Sequence, residues 1–146
     1  MIMKSIGYFS TRPPILSVVD RDKQWLQFCS RELYAAHYKT IDLQDYTHAR
    51  QRLHKEQIGR AEQSQLVILG CARANEAEFD LLSFYVDHGY KVLVLCTTLS
   101  YQDTLALFRN QATNVYLKPY TRETLIEVVH ETLELISKRT SRSPTN

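Results

Sequence analysis

The chain has 146 residues, 44% of them apolar and 23% charged, with a formal charge of +2 from 18 basic and 16 acidic side chains. That length suits one domain with a core covered on both sides. So even a charge balance argues against direct nucleic-acid binding. Three scattered cysteines, Cys29, Cys71 and Cys96, argue against a disulfide framework and point to a reducing, cytoplasmic setting. Residues 1–10 are too short and too polar for a signal-peptide core. No run of about 18 apolar residues could span a membrane.

Pro13-Pro14 closes an N-terminal extension, residues 1–14. Ile15 to Val19 is a compact apolar run and reads as the first strand. Asp22 is placed to cap a helix whose stripe is Trp25, Leu26, Cys29, Leu33 and Ala36. Tyr38 to Leu43 alternates in polarity, as an exposed second strand would. Asp45 opens a polar second helix with the stripe Tyr46, Ala49 and Leu53. Leu66-Val67-Ile68-Leu69 is a buried third strand, which Gly70 ends. Asn75 and Glu78 have capping-box spacing before the inner face Leu81, Leu82, Tyr85 and Val86, and Gly89 suits a left-handed helix stop. Val92 to Leu95 is the fourth strand. Ser100 and Asp103 repeat the capping spacing ahead of Tyr101, Leu105 and Phe108. Asn114 to Leu117 is a short fifth strand stopped by Pro119. Thr121 caps a last helix carrying Leu125, Val129, Thr132 and Ile136. The segment 138–146, with the cluster Lys138-Arg139-Thr140-Ser141-Arg142, reads as a basic, polar tail.

Strands one, three and four are apolar on both faces, which is the pattern of a parallel sheet covered by helices. Strand–helix alternation with short links implies right-handed crossovers. The expected fold is α/β, doubly wound and flavodoxin-like, over residues 15–137. Strand order is 2-1-3-4-5, with the most apolar strands central. Sites in such sheets lie beyond the carboxyl ends of the strands, near the order reversal. Asp20, Gly70, Thr97 and Lys118 should therefore ring one crevice.

Four segments in register, ending in Asp20-Arg21-Asp22, Gly70, Cys96-Thr97 and Lys118-Pro119-Tyr120, resemble the receiver domains of two-component response regulators, the CheY-like family. The resemblance implies an acidic pair for Mg²⁺, an aspartate that accepts a phosphoryl group, a hydroxyl and a lysine. Asp20 matches the first acid and Lys118 the lysine. Thr97 matches the hydroxyl, or Cys96 with a shift of one residue. Arg21 stands at the second acid, with Asp22 one step displaced. Gly70 stands where the acceptor aspartate would be. Val115 occupies the position of the switch aromatic, and Tyr116, one residue along, should point to the opposite face.

The expectation is a degenerate receiver without phosphoryl chemistry. It would have no catalytic residues, no metal and no cofactor. Asp20 would pair with Lys118 or Arg21. The function implied is a phosphorylation-independent signalling module that binds proteins: a kinase, an output protein or a second copy. Tyr101, Phe108, Tyr116 and Tyr120 mark the helix four–strand five–helix five face that receivers use for this. One alternative is the regulatory module of a transcriptional regulator, working with a DNA-binding domain or partner. Another is a small-ligand protein or enzyme using Asp20, Thr97 and Lys118. His130-Glu131 superficially resembles a kinase phosphoacceptor, but no ATP-binding motif accompanies it. His37, His48, His54 and His88 lack metal-ligand spacing. Cys71 and Cys96 fall at the ends of adjacent strands, where core packing competes with a redox role.

Overall fold

The computed structural model describes residues 13–142. Most of the N-terminal extension, residues 1–12, and the last four tail residues lie outside that range. Five strands alternate with five helices: β1 (Ile15–Val19), α1 (Lys23–Ala35), β2 (Lys39–Leu43), α2 (Tyr46–Gln57), β3 (Leu66–Cys71), α3 (Glu76–Asp87), β4 (Val92–Cys96), α4 (Tyr101–Arg109), β5 (Asn114–Leu117) and α5 (Arg122–Arg142). The strands form one sheet in the order β2-β1-β3-β4-β5, and every pairing is parallel. This is the doubly wound, flavodoxin-like arrangement expected from the apolar central runs.

The period of two along each strand divides the core into two layers. Leu16 and Val18 of β1, Leu66 and Ile68 of β3 and Leu93 and Leu95 of β4 pack with Leu26 and Leu33 of α1 and Leu125 and Val129 of α5. The alternate residues, among them Val67, Leu69, Cys71, Val94, Cys96 and Val115, pack with Leu53, Leu81, Leu82 and Leu107 of the other helices. Val115 and Tyr116 thus face opposite layers, since Tyr116 packs against the α1/α5 cluster.

Local signals account for most helix ends. Asp22 Oδ1 accepts from the amides of Gln24 and Trp25. Asp45 Oδ1 accepts from His48 N at 2.8 Å, and Ser100 Oγ from Asp103 N at 3.0 Å. Glu78 Oε1 accepts from Asn75 N at 2.8 Å, the side-chain half of a capping box. Thr124 N donates to Thr121 Oγ1. Gly89 follows α3 with φ +87°, the left-handed conformation a helix stop requires.

Two boundaries and one buried face differ from the sequence reading. β3 does not end before Gly70: it continues through Gly70 and Cys71, which pair with Leu95 and Cys96. Ladder hydrogen bonds to β4 are backbone interactions and do not need a side chain at position 70. Helix α5 runs to Arg142 and takes in the start of the basic tail; Ser, Thr, Lys and Arg carry no helix-breaking penalty comparable to Gly or Pro. Val86 is only partly buried on α3, whereas Glu78 lies on its buried face.

Candidate functional site

The same period of two that builds the α1/α5 layer delivers the site. Asp20 continues the series Leu16, Val18. Gly70 continues Leu66, Ile68, and Lys118 follows Tyr116. All three therefore leave the sheet on one face, at its carboxyl end, opposite the first turn of α1. A crevice of about 430 Å³ opens there, lined by Asp20, Arg21, Cys71, Arg73, Thr97 and Lys118 among others.

The floor of the crevice is an ion pair. Lys118 Nζ lies 2.8 Å from Asp20 Oδ2, and both side chains are almost fully buried, 3% and 4% exposed. Oδ1 of Asp20 accepts from Asp22 N at 2.9 Å, while no directed hydrogen bond reaches Oδ2. The ammonium also lies 4.7 Å from the centre of the Trp25 ring, a cation–π distance. Trp25 is fixed in turn, because its Nε1–H donates to the carbonyl of Pro119 at 3.2 Å. One aromatic from the first turn of α1 thus roofs the carboxylate, the lysine and the Lys-Pro corner.

Gly70 sits under that roof. A methyl group built on it would lie 2.7 Å from Trp25 Cζ3 and 3.2 Å from Asp20 Cγ, and closer still to Asp20 Oδ2. These are closer than packed atoms approach, and the obstacle is a ring and a paired carboxylate rather than a loose side-chain end. Gly70 does not have positive φ. Space, not backbone conformation, makes glycine the residue that fits.

Of the two candidate partners for Asp20, Lys118 takes the place and Arg21 does not. Arg21 turns outward, with Nη1 3.9 Å from Glu78 Oε2 and its guanidinium 4.2 Å above the Tyr46 ring. Glu78 also accepts from Tyr46 Oη at 2.6 Å. Burial, then the hydrogen bond to Glu78, pushes the Tyr46 phenol well above its ordinary pKa. Asp22 is spent on the α1 cap. Thr97 is exposed at the rim, its Oγ1 3.4 Å from Tyr120 Oη. Cys96 belongs to the other layer and faces away from Lys118, which leaves Thr97 as the hydroxyl at the crevice.

Mg²⁺ asks for several hard oxygen ligands. Here Asp20, the carboxylate at the floor, already carries an ammonium, Gly70 beside it offers no oxygen, Asp22 caps α1, and Glu78 is engaged by Tyr46 and Arg21. Among the described residues no group of three or more His, Cys, Asp or Glu could hold a metal ion. The side chains present do not fit the divalent ion that the resemblance implies.

Solved structures share this architecture. A response regulator from Thermotoga maritima superposes with TM-score 0.72 at 20% identity, covering 84% of this chain and 98% of that one. The fold is that of the response regulator receiver domains. A CheY-like receiver domain protein from Methanospirillum hungatei JF-1 gives TM-score 0.70 at 18% identity, over 87% of this chain and 98% of the other. The signal receiver domain of an HD domain-containing protein from Pseudomonas fluorescens Pf-5 gives 0.69 at 21% identity, over 86% and 99%. No protein-family model and no curated protein matches the chain.

Within this receiver fold, the residues that sequence reasoning missed are Trp25, Arg73, Tyr46 and Glu78. Trp25 looks like an ordinary member of the α1 stripe. The signal that marks it is the pairing of the largest side chain on one element with the absence of a side chain at Gly70 on another. Arg73 reaches Asp103 of α4, Nε to Oδ2 3.5 Å, so the α3 approach loop is tied to the α4 start. Of the four aromatics assigned to the α4–β5–α5 face, Tyr101, Phe108 and Tyr120 are exposed. Tyr116 is not free there: it is partly buried, and its hydroxyl donates to Glu131 on α5. Leu117 is exposed instead. His130 is a surface residue of α5, 3.5 Å from Glu134. No described helix is long and apolar enough to cross a membrane.

Proposed function

We propose that this chain is a phosphorylation-independent regulatory module that acts by binding another protein, a receiver fold whose acceptor position has been filled. The observation that carries the reading is the fit around Gly70. The position lacks a carboxylate, and the space one would occupy is taken by Trp25 and the Asp20–Lys118 pair. A phosphoryl group entering there would have to break a buried ion pair without a metal to neutralise the charge it brings.

With chemistry removed, surface recognition is what remains, and the α4–β5–α5 face is built for it. Tyr101, Phe108, Leu117 and Tyr120 expose apolar surface around one edge of the sheet. Exposed aromatic clusters of this kind are anchors in protein interfaces. The partner in this reading is a signalling protein or a second copy of the chain, and the module has no enzymatic activity.

The test is an amide NMR titration with Mg²⁺ and beryllium fluoride, followed by acetyl phosphate. The expected result is no saturable shift at Asp20, Gly70, Thr97 or Lys118 and no phosphorylated species by intact mass. Saturable shifts clustered on those residues at millimolar reagent would overturn the reading.

A further inference from the structure

The two cysteines of the opposite layer form a second, independent feature of the crevice. Cys71 ends β3 and Cys96 ends β4, and the two are direct partners in the parallel ladder. Their Sγ atoms lie 3.4 Å apart. Both side chains continue one layer, after Val67, Leu69 and after Val92, Val94, so they point the same way. Adjacent strands are about 4.8 Å apart, which falls inside the Cα separation that a disulfide accepts. Closing the bond to about 2.05 Å asks the sulfurs to approach by little more than an ångström. The ladder continues past the pair through Thr97 N to Cys71 O (3.0 Å) and Thr98 N to Ala72 O (2.8 Å), which holds both residues in place.

Cys71 also lines the crevice, beside Arg73 and Thr97. Cys96 lies beneath it, fully buried. The remaining thiol, Cys29, is buried in the other layer, away from the crevice.

We propose that Cys71 and Cys96 are a redox-modifiable dithiol, closed to an intramolecular disulfide by a small peroxide that enters through the crevice. One sulfur of the pair, as thiolate, attacks a peroxide oxygen. The O–O bond breaks, leaving a sulfenic acid and a hydroxide that takes up a proton as water. The second sulfur then attacks the sulfenic sulfur, the S–O bond breaks, and a second water leaves. Overall, two thiols and one hydrogen peroxide give one disulfide and two waters. The contact between the sulfurs supports both steps: either thiol can donate to the other as it ionises, and Cys71, which lines the crevice, is the sulfur an entering peroxide meets first. Cys29 packs in the other layer, and burial pushes its thiol up. The pair lies on the face of the sheet opposite Asp20 and Lys118, so this chemistry stands whether or not the crevice takes a phosphoryl group.

The experiment treats the folded chain with hydrogen peroxide, quenches it, then alkylates in denaturant and records intact and peptide masses. The expected product is a monomer lighter by two hydrogens, with a Cys71–Cys96 linked peptide and only Cys29 alkylated. Reduction should restore all three thiols. Cys29→Ser should still close the bond, whereas Cys71→Ser and Cys96→Ser, checked for folding by circular dichroism, should not. Three alkylated thiols after excess peroxide, overoxidation without a linked peptide, or crosslinking through Cys29 would each overturn the proposal.

Discussion

Gly70 and Lys118 both adjoin Asp20, and each can be tested alone. Gly70→Ala places its methyl against Trp25 and Asp20. Overpacking of this kind costs about 1–3 kcal/mol, to be read from urea denaturation. Gly70→Asp adds a second carboxylate beside a buried one and should be less stable still. It should also fail to restore a beryllium fluoride response, because Lys118 is already taken. A Gly70→Asp variant that is stable and responsive would show that the acceptor position can be restored. Lys118→Met leaves Asp20 buried without its counter-charge. Breaking a buried pair on one side costs about 3–5 kcal/mol. The double variant Asp20→Asn with Lys118→Met should recover much of that loss, since it removes the orphaned charge. Non-additivity in this double-mutant cycle measures the coupling.

At the level of single elements, α2 shows how a polar helix is held. Its apparent stripe is thin, with Ala49 and Leu53 buried, and the position that completes it is a carboxylate. Glu56 is buried and accepts from Ser64 N (3.0 Å), Ser64 Oγ (2.9 Å) and Tyr90 Oη (2.7 Å). Arg52 adds a contact at 3.3 Å. These bonds tie α2 to the entry of β3 and to the turn before β4. Burial, then the hydrogen bond to Glu56, pushes the Tyr90 phenol up to about 12. Burial likewise raises Tyr85, whose hydroxyl donates to Ala49 O at 3.2 Å. An unfolded tyrosine ionises near pH 10. As pH rises past that value the unfolded chain releases protons that the folded chain retains. Stability that is fully present below about pH 10 should therefore fall between about pH 10 and 12. Tyrosinate absorbance at 295 nm should rise together with loss of far-ultraviolet circular dichroism. Tyr90→Phe should lose about 1 kcal/mol at neutral pH by removing one donor to Glu56, and should flatten the alkaline slope. An unchanged slope would locate the effect in other tyrosines.

For the molecule as a whole, four of the six exposed large apolar side chains among the described residues, Tyr101, Phe108, Leu117 and Tyr120, belong to α4, β5 and the turn after it, while Tyr34 and Ile58 stand on α1 and just after α2. Tyr101 and Tyr120 are 78% and 63% exposed, at the start of α4 and in the turn after β5. Replacing both by serine touches no core residue, so the melting transition should stay within about 0.5 kcal/mol of the parent. Retention of proteins from a cell extract, or self-association in sedimentation, should fall at least tenfold. Equal retention by the parent and the double variant would move the interaction to another face.

Strand–helix alternation, apolar runs on β1, β3 and β4, and capping residues at Asp22, Asp45 and Ser100 sufficed to specify the architecture from the chain alone. These are local signals: each depends on the chemistry of a few neighbouring residues and survives without knowledge of the rest. The same signals predicted that Asp20, Gly70, Thr97 and Lys118 share one end of the sheet, because period and topology are enough to bring strand ends together. The continuation of β3 through Gly70 escaped, since a glycine looks like a stop until the partner strand supplies its hydrogen bonds. So did Trp25 over Lys118, Arg21 drawn away to Glu78 and Tyr46, Tyr116 drawn onto Glu131, and Glu56 at the centre of a polar core. Each of these is a choice among several possible partners far apart in the chain. Such choices turn on distances of an ångström or less and on which charge is buried, and neither quantity exists until the helices are packed on the sheet.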